Sequence, residues 1–161
     1  MKILAIDPGP VQSAYVFWDT ETHDFCLRDK FAKGILPNYN LRTIVISEMA
    51  ASGMDLLAIE MPQSYGKVVG RSMFETCLEV GRFIQVAGVN TLHWGGQIKL
   101  YGRPTIKGQI GGRTDAEIRA SLRLRYGDAK KGQKLEGVVR DIWSALALAT
   151  ALDERINLKE W

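Results

Sequence analysis

Three acidic residues stand where a charge is costly unless something uses it. Asp7 closes the apolar run Ile3-Leu4-Ala5-Ile6 and is followed by Pro8-Gly9-Pro10. Glu60 closes Leu56-Leu57-Ala58-Ile59 and is followed by Met61-Pro62. Both runs are too short for helices and are bounded by turn residues, which marks buried strands. An ionised carboxylate at the mouth of a buried strand needs a cation or hydrogen-bond donors. Asp141 lies four residues before Ala145, on the apolar stripe Ala145, Leu148 and Ala149 of the last helix, a placement that aims it at the sheet beneath. Carboxylates alone are the donor set of hard cations such as Mg²⁺ or Mn²⁺ rather than zinc. Two such ions roughly 3.5–4 Å apart activate a water and stabilise the leaving oxygen in phosphodiester hydrolysis. Read singly, each acid has an ordinary explanation. Asp7 is then a turn residue, Glu60 a solvated strand-end charge, and Asp141 a helix cap or a partner for Arg140.

The elements around these acids decide whether they can meet. Ser13 to Trp18 is rich in strand formers, and His23 to Phe31 supplies a third strand of an antiparallel meander. Gly34 to Asn38 reads as a loop, and Asn40 caps a helix over Leu41–Ala51 that ends by Gly53. A crossover through that helix makes the 56–61 strand parallel to the first. Asp7 and Glu60 then share the C-terminal edge of the sheet, where open α/β sheets place their sites. Further along come the loop Tyr65–Arg71, a helix over Ser72–Val86, a short strand Val89–His93 and a Gly-rich section Gly95–Gly112. Thr114 and Glu117 have capping-box spacing at the head of a helix running to Tyr126. A basic loop, Gly127–Lys134, precedes a last apolar helix over Val138–Leu152, and 153–161 reads as a loose tail. There is no internal repeat and no linker, so residues 1–161 read as one domain, long enough to bury a core.

Composition narrows the function classes. The chain is 46% hydrophobic and 24% charged, ordinary for a soluble globular protein. Its net charge of +3 says little, but the distribution is uneven. Lys99 to Arg140 holds eleven basic and four acidic residues, leaving the remainder net acidic. Such asymmetry suits a polyanionic partner, with a solvated basic face as the plainer reading. Cys26 and Cys77 are isolated and read as reduced thiols. No stretch has the length of a signal peptide or a membrane span, which points to the cytoplasm and away from a membrane partner.

The pattern resembles the RuvC-type Holliday junction resolvases of the ribonuclease H-like superfamily, most closely their phage-borne branch. The resemblance is carried by Ile6-Asp7-Pro8-Gly9 with Ser13 and Tyr15, and by Ala58-Ile59-Glu60-Met61-Pro62. It continues through Phe74-Glu75-Thr76-Cys77, Gly81-Arg82-Phe83-Ile84, Ile98-Lys99 and the Asp141–Ala149 helix, in order over nearly the whole chain. It implies an α/β fold with a mixed five-stranded sheet and helices on both faces. The implied activity is Mg²⁺-dependent (or Mn²⁺-dependent) cleavage of four-way junctions or related branched DNA, in recombination and repair. Asp7, Glu60 and Asp141 match family metal ligands, and Ser144 stands where the family has a second helical acid. One metal would lie between Asp7 and Asp141 and another between Asp7 and Glu60. Lys99 matches a family lysine beside the scissile phosphate. The resemblance also places Tyr65, Lys67 and Arg71 against the junction near its crossover. Arg113, Arg119, Lys130 and Lys131, with Arg123 and Lys134, hold phosphates without reading sequence. The 72–86 helix, with Gly81 permitting close approach, becomes the seam of a homodimer whose two-fold symmetry suits two symmetric strand cuts. His23 and His93 read as structural.

Two rivals share much of this pattern: a catalytically weak or inactive junction-binding protein, and a ribonuclease H-like enzyme acting on RNA or RNA–DNA hybrid. A sugar-kinase or actin-like ATPase also opens on an acid and glycine, but needs two such domains, which 161 residues barely allow.

Overall fold

A computed structural model describes residues 1–26, 31–51, 53–64, 66, 68–94 and 96–157. The strands are β1 (Lys2–Asp7), β2 (Gln12–Asp19), β3 (Asp24–Phe25), β4 (Lys33–Pro37), β5 (Leu56–Met61) and β6 (Gln97–Gly102). The helices are α1 (Asn38–Ala51), α2 (Arg71–Trp94), α3 (Arg103–Ile110), α4 (Asp115–Tyr126) and α5 (Ile142–Asn157). One sheet runs β3-β2-β1-β5-β6, with β4 also pairing to β2. β2 is antiparallel to β1, β3 and β4, whereas β1, β5 and β6 run parallel.

The strand period of two assigns every side chain of β1 and β5 to one of two cores. Ile3, Ala5, Leu56 and Ala58 pack with Ile106 of α3, Leu122 of α4 and the buried face of α5. Leu4, Ile6, Leu57 and Ile59 pack on the other side with Leu41 and Val45 of α1 and Val80 and Phe83 of α2. By the same alternation Asp7 and Glu60 belong to the α5 side. That helix is pinned: Ala145, Leu146, Leu148, Ala149 and Leu152 are all buried. Sliding it would expose two or three leucines at roughly 1.5–3 kcal/mol each, so its first turn is held at a fixed place on the sheet edge.

Several sequence expectations are corrected. The sheet has six strands among the described residues, not five. Lys33–Pro37, expected within a loop, forms β4, with Gly34 packed over the Tyr15 ring. The third strand is limited to Asp24–Phe25, and positions 27–30 lie outside the described residues. The helix expected over 72–86 runs on to Trp94 and absorbs the strand assigned to Val89–His93. The strand instead lies at Gln97–Gly102, inside the Gly-rich section, which also contains α3. α5 starts at Ile142 rather than Val138 and extends to Asn157, into the expected tail. The capping box at Thr114 and Glu117 is present as expected, with both reciprocal hydrogen bonds.

Candidate active site

The parallel pairing of β1 with β5 runs from Ile3–Leu56 to Ile6–Ile59, so Asp7 and Glu60 come next, side by side. The turn after Asp7 is held by a closed polar network. The Gly9 N–H donates to Ser13 Oγ (3.2 Å), Ser13 Oγ donates to Asn38 Oδ1 (2.7 Å), and Asn38 Nδ2 donates to the Gly9 carbonyl (2.9 Å). A Cβ on Gly9 would sit 2.5 Å from the Gln12 carbonyl oxygen, so the turn requires glycine there. Ser13 and Asn38 are both buried, which makes this network part of the fold as well as of the site.

The third wall is the start of α5. The chain reaches it through two left-handed residues, Gly137 (φ 78°) and Arg140 (φ 47°). Asp141 lies one residue ahead of the helix, and its carbonyl accepts from the N–H groups of Ser144 (2.9 Å) and Ala145 (3.2 Å). Its side chain is exposed rather than seated on the apolar stripe, because the helix begins later than its pattern predicts. Asp141 nevertheless stands within electrostatic reach of Asp7, and Ser144 is hydrogen-bonded to Asp7.

A residue that sequence reasoning did not single out sits at the centre. Arg103, the first residue of α3, donates from Nη1 to Glu60 Oε1 (2.9 Å) and to Ser144 Oγ (3.3 Å), and from Nη2 to Asp115 Oδ1 (3.0 Å). Lys107, one turn on, places Nζ 3.1 Å from the same Asp115 oxygen. The signal that locates Arg103 is register. β6 pairs Tyr101 with Glu60 and Gly102 with Met61, so the residue after Gly102 leaves the sheet at the same edge. A cavity here is lined by Glu60, Arg103, Lys107, Asp115, Trp143 and Ser144.

The two strand-end acids have different environments. Burial raises the Asp7 carboxyl to about 7; Glu60 and Asp141 push in the same direction, and Arg103 and the Ser144 hydroxyl oppose them. Burial also raises Glu60, which is only 7% exposed, but here Arg103 works directly against the shift. At Arg103 burial opposes the charge and is outweighed by Glu60 and Asp115, so the guanidinium is held protonated more firmly than usual. Hydrogen bonds from Arg103 and Lys107 hold Asp115 below the ordinary carboxylate range.

The donor set suits a hard divalent cation at Asp7, whose charge lacks a direct cationic contact such as Glu60 has. It does not form a ready two-ion cage. Among the described residues no three His, Cys, Asp or Glu side chains close into a metal-holding group, and the flank of Glu60 carries the Arg103 guanidinium.

The remaining expected residues are dispersed. Lys99 lies mid-strand in β6, level with Ala58, and Lys107 rather than Lys99 lines the cavity with Glu60. Arg119 lines the same cavity, while Arg113 opens the approach to α4 and is exposed. Lys130 and Lys131 are exposed on the loop after α4, with Lys130 paired to Asp128 (2.9 Å). The Arg71 side chain is 91% exposed and bonded to Glu75 (2.6 Å). Tyr65 and Lys67 lie outside the described residues. Lys134, expected on phosphates, instead donates to the His23 carbonyl and stands over the Trp18 and Tyr126 rings. His23 is structural, bonded through Nδ1 to the buried Asp153 (2.8 Å), whereas the His93 side chain is not among those described.

No protein-family model matches the chain, and no curated protein does. Solved structures do. A Thermus thermophilus RuvC in complex with Holliday junction substrate superposes with a TM-score of 0.68 at 14% identity, over 98% of this chain and 96% of that one. A second Thermus thermophilus RuvC structure gives a TM-score of 0.66 at 14% identity, over 99% and 97%. The fold is ribonuclease H-like. At this identity the likeness establishes the α/β architecture expected from the sequence, and no helix among the described residues is long and apolar enough to cross a membrane.

Proposed function

We propose that the chain is a structure-selective, divalent-cation-dependent endodeoxyribonuclease that cleaves four-way junctions or related branched DNA. The observation that carries this reading is the adjacency of Asp7 and Glu60 at one edge, facing the first turn of α5, in a chain that superposes along its length on RuvC. Asp7, Asp141 and the Ser144 hydroxyl would hold Mg²⁺ or Mn²⁺, with Glu60 beside them. When bound, such an ion polarises a phosphoryl oxygen and makes water a nucleophile near neutral pH.

The chain's own residues supply the rest. Ser144 donates to the Asp7 carboxylate and accepts from Arg103, which fixes both side chains. Lys107 and Arg119 flank the cavity and neutralise the phosphate approaching it. Arg113, Lys130, Lys131 and Arg71 are exposed and would hold phosphates of the nucleic-acid backbone farther from the cavity. Such contacts position the substrate without specifying sequence. Lys99, Tyr65 and Lys67 keep the roles the family resemblance implies. Residues 1–161 act as one nuclease domain, in the cytoplasm, where Cys26 and Cys77 stay reduced. We also propose a homodimer through α2. Phe74 and Leu78, one turn apart, are each 62% exposed, and a Cβ on Gly81 would meet open space.

A binding-only role is the second reading, favoured by the occupation of Glu60 and Ser144 by Arg103. The deciding experiment incubates the chain with a labelled four-way junction, a duplex and an RNA–DNA hybrid, with Mg²⁺, with Mn²⁺ and with chelator. Symmetric, metal-dependent nicks in the junction alone are expected. Tight junction binding without cleavage would give the role to the binding-only reading, and cleavage confined to the hybrid would make it a ribonuclease.

A further inference from the structure

The Glu60 flank of the edge already contains a permanent cation. Arg103 meets Glu60, Ser144 and Asp115 from its two Nη atoms, a three-way bridge rather than a single surface pair. Asp115, from the first turn of α4, holds the outer side of the guanidinium, and Lys107 holds Asp115. Guanidinium stays charged at any working pH and its planar fork fits carboxylates, unlike a hydrated ammonium. The charge count at the edge is decisive. Asp7, Glu60, Asp115 and Asp141 face Arg103, Lys107 and Arg119, leaving at most one uncompensated negative charge. One divalent cation already offsets that remainder, and a second would leave three positive charges in excess in a partly buried site where unpaired charge is strongly penalised.

Resting on the nuclease reading above, we infer that Arg103 takes the place of a second metal: it occupies Glu60 and one acceptor position of Ser144 and limits this edge to one divalent ion, held by Asp7 and Asp141 with the remaining lone pair of Ser144. Arg103 is then a positioning and charge-supplying residue, and Ser144 is its neutral acceptor. An acid at 144 would add a negative charge and draw the guanidinium more tightly.

Direct titration of the intact chain with Mn²⁺, in the absence of DNA, tests this by counting bound ions calorimetrically and by loss of the free-Mn²⁺ electron paramagnetic resonance signal. The wild-type chain is expected to bind one ion per chain and Arg103→Met two, because methionine keeps the length and removes the charge. Arg103→Lys, which keeps a cation there, is expected to stay at one. Two ions in the wild-type chain or in Arg103→Lys would overturn the inference while leaving the nuclease reading intact, and those counts decide it even if Arg103→Met does not fold. A single ion in a folded Arg103→Met would equally overturn it. No Mn²⁺ bound to the wild-type chain at all would instead overturn the metal-dependent function on which the inference rests.

Discussion

Asp7 and Glu60 end neighbouring parallel strands in register, on one face, yet they are opposites electrostatically. Glu60 is buried and answered: Arg103 lies 2.9 Å away and carries the charge outward to Asp115. Asp7 is unanswered. Burial raises its carboxyl to about 7, Glu60 and Asp141 add to that shift, and only a more distant guanidinium and a hydroxyl oppose it. The difference shows where a divalent ion has most to gain. A carboxylate already paired to arginine yields little to a metal, whereas one destabilised by its neighbours yields a great deal.

Breaking each half should therefore give effects of opposite sign. The largest is on activity: Asp7→Asn should lower Mg²⁺-dependent junction cleavage by about 10²–10³-fold, the scale for losing one electrostatic stabiliser, measured in single-turnover assays. The same substitution should stabilise the metal-free chain. Asp7 retains its proton in the folded state up to about 7 but loses it near 3.8 when unfolded. The folded state thus binds the extra proton between those values, and stability falls as pH rises through that window, by roughly 4 kcal/mol at most. Urea titrations at pH 5 and pH 8 should show this loss in the wild-type chain, its absence in Asp7→Asn, and its recovery on adding Mn²⁺ at pH 8.

Arg103→Met should do the reverse and destabilise the metal-free chain by about 3 kcal/mol, the scale for stripping one partner from a buried pair. Urea titration reads this directly, and a neutral or stabilising result would mean that Glu60 does not depend on Arg103. The smallest effects belong to the outer basic residues. Alanine at Arg113, Lys130 or Lys131 should reduce the log–log salt slope of junction binding by about 0.9 each while cleavage of bound junction persists. An unchanged slope would remove that residue from the interface.

Part of the candidate site is legible in the sequence because its signals are local. Asp7 and Glu60 each follow an apolar run and precede proline, and a parallel crossover forces the two ends to one edge. Helical spacing puts Asp141 on the apolar stripe, but the helix starts at Ile142, one residue past it, and leaves the side chain exposed. Arg103 was missed for a physical reason. β6 is half-exposed along its length, so QIKLYG lacks the buried run that marks β1 and β5, and the glycines around it resemble a loop. The Val89–His93 run has strand composition but follows α2 without a break, and helix continuity wins over a preference of a few tenths of a kcal/mol per residue. β4 was hidden by Gly34 and Pro37, both tolerated because the strand lies off the main path of the sheet and pairs with β2 alone. Asp115 was visible only as part of a helix start, since its clasp on Arg103 joins elements whose approach depends on the tertiary fold.

The most direct test of where the ion sits compares Mn²⁺ binding by the wild-type chain and by Asp7→Asn, free of DNA, at pH 8. Saturable binding by the wild-type chain that disappears in Asp7→Asn is the predicted result. Equal affinity in the two proteins would contradict the account, because the buried carboxylate at the end of β1 would then have no part in holding the metal.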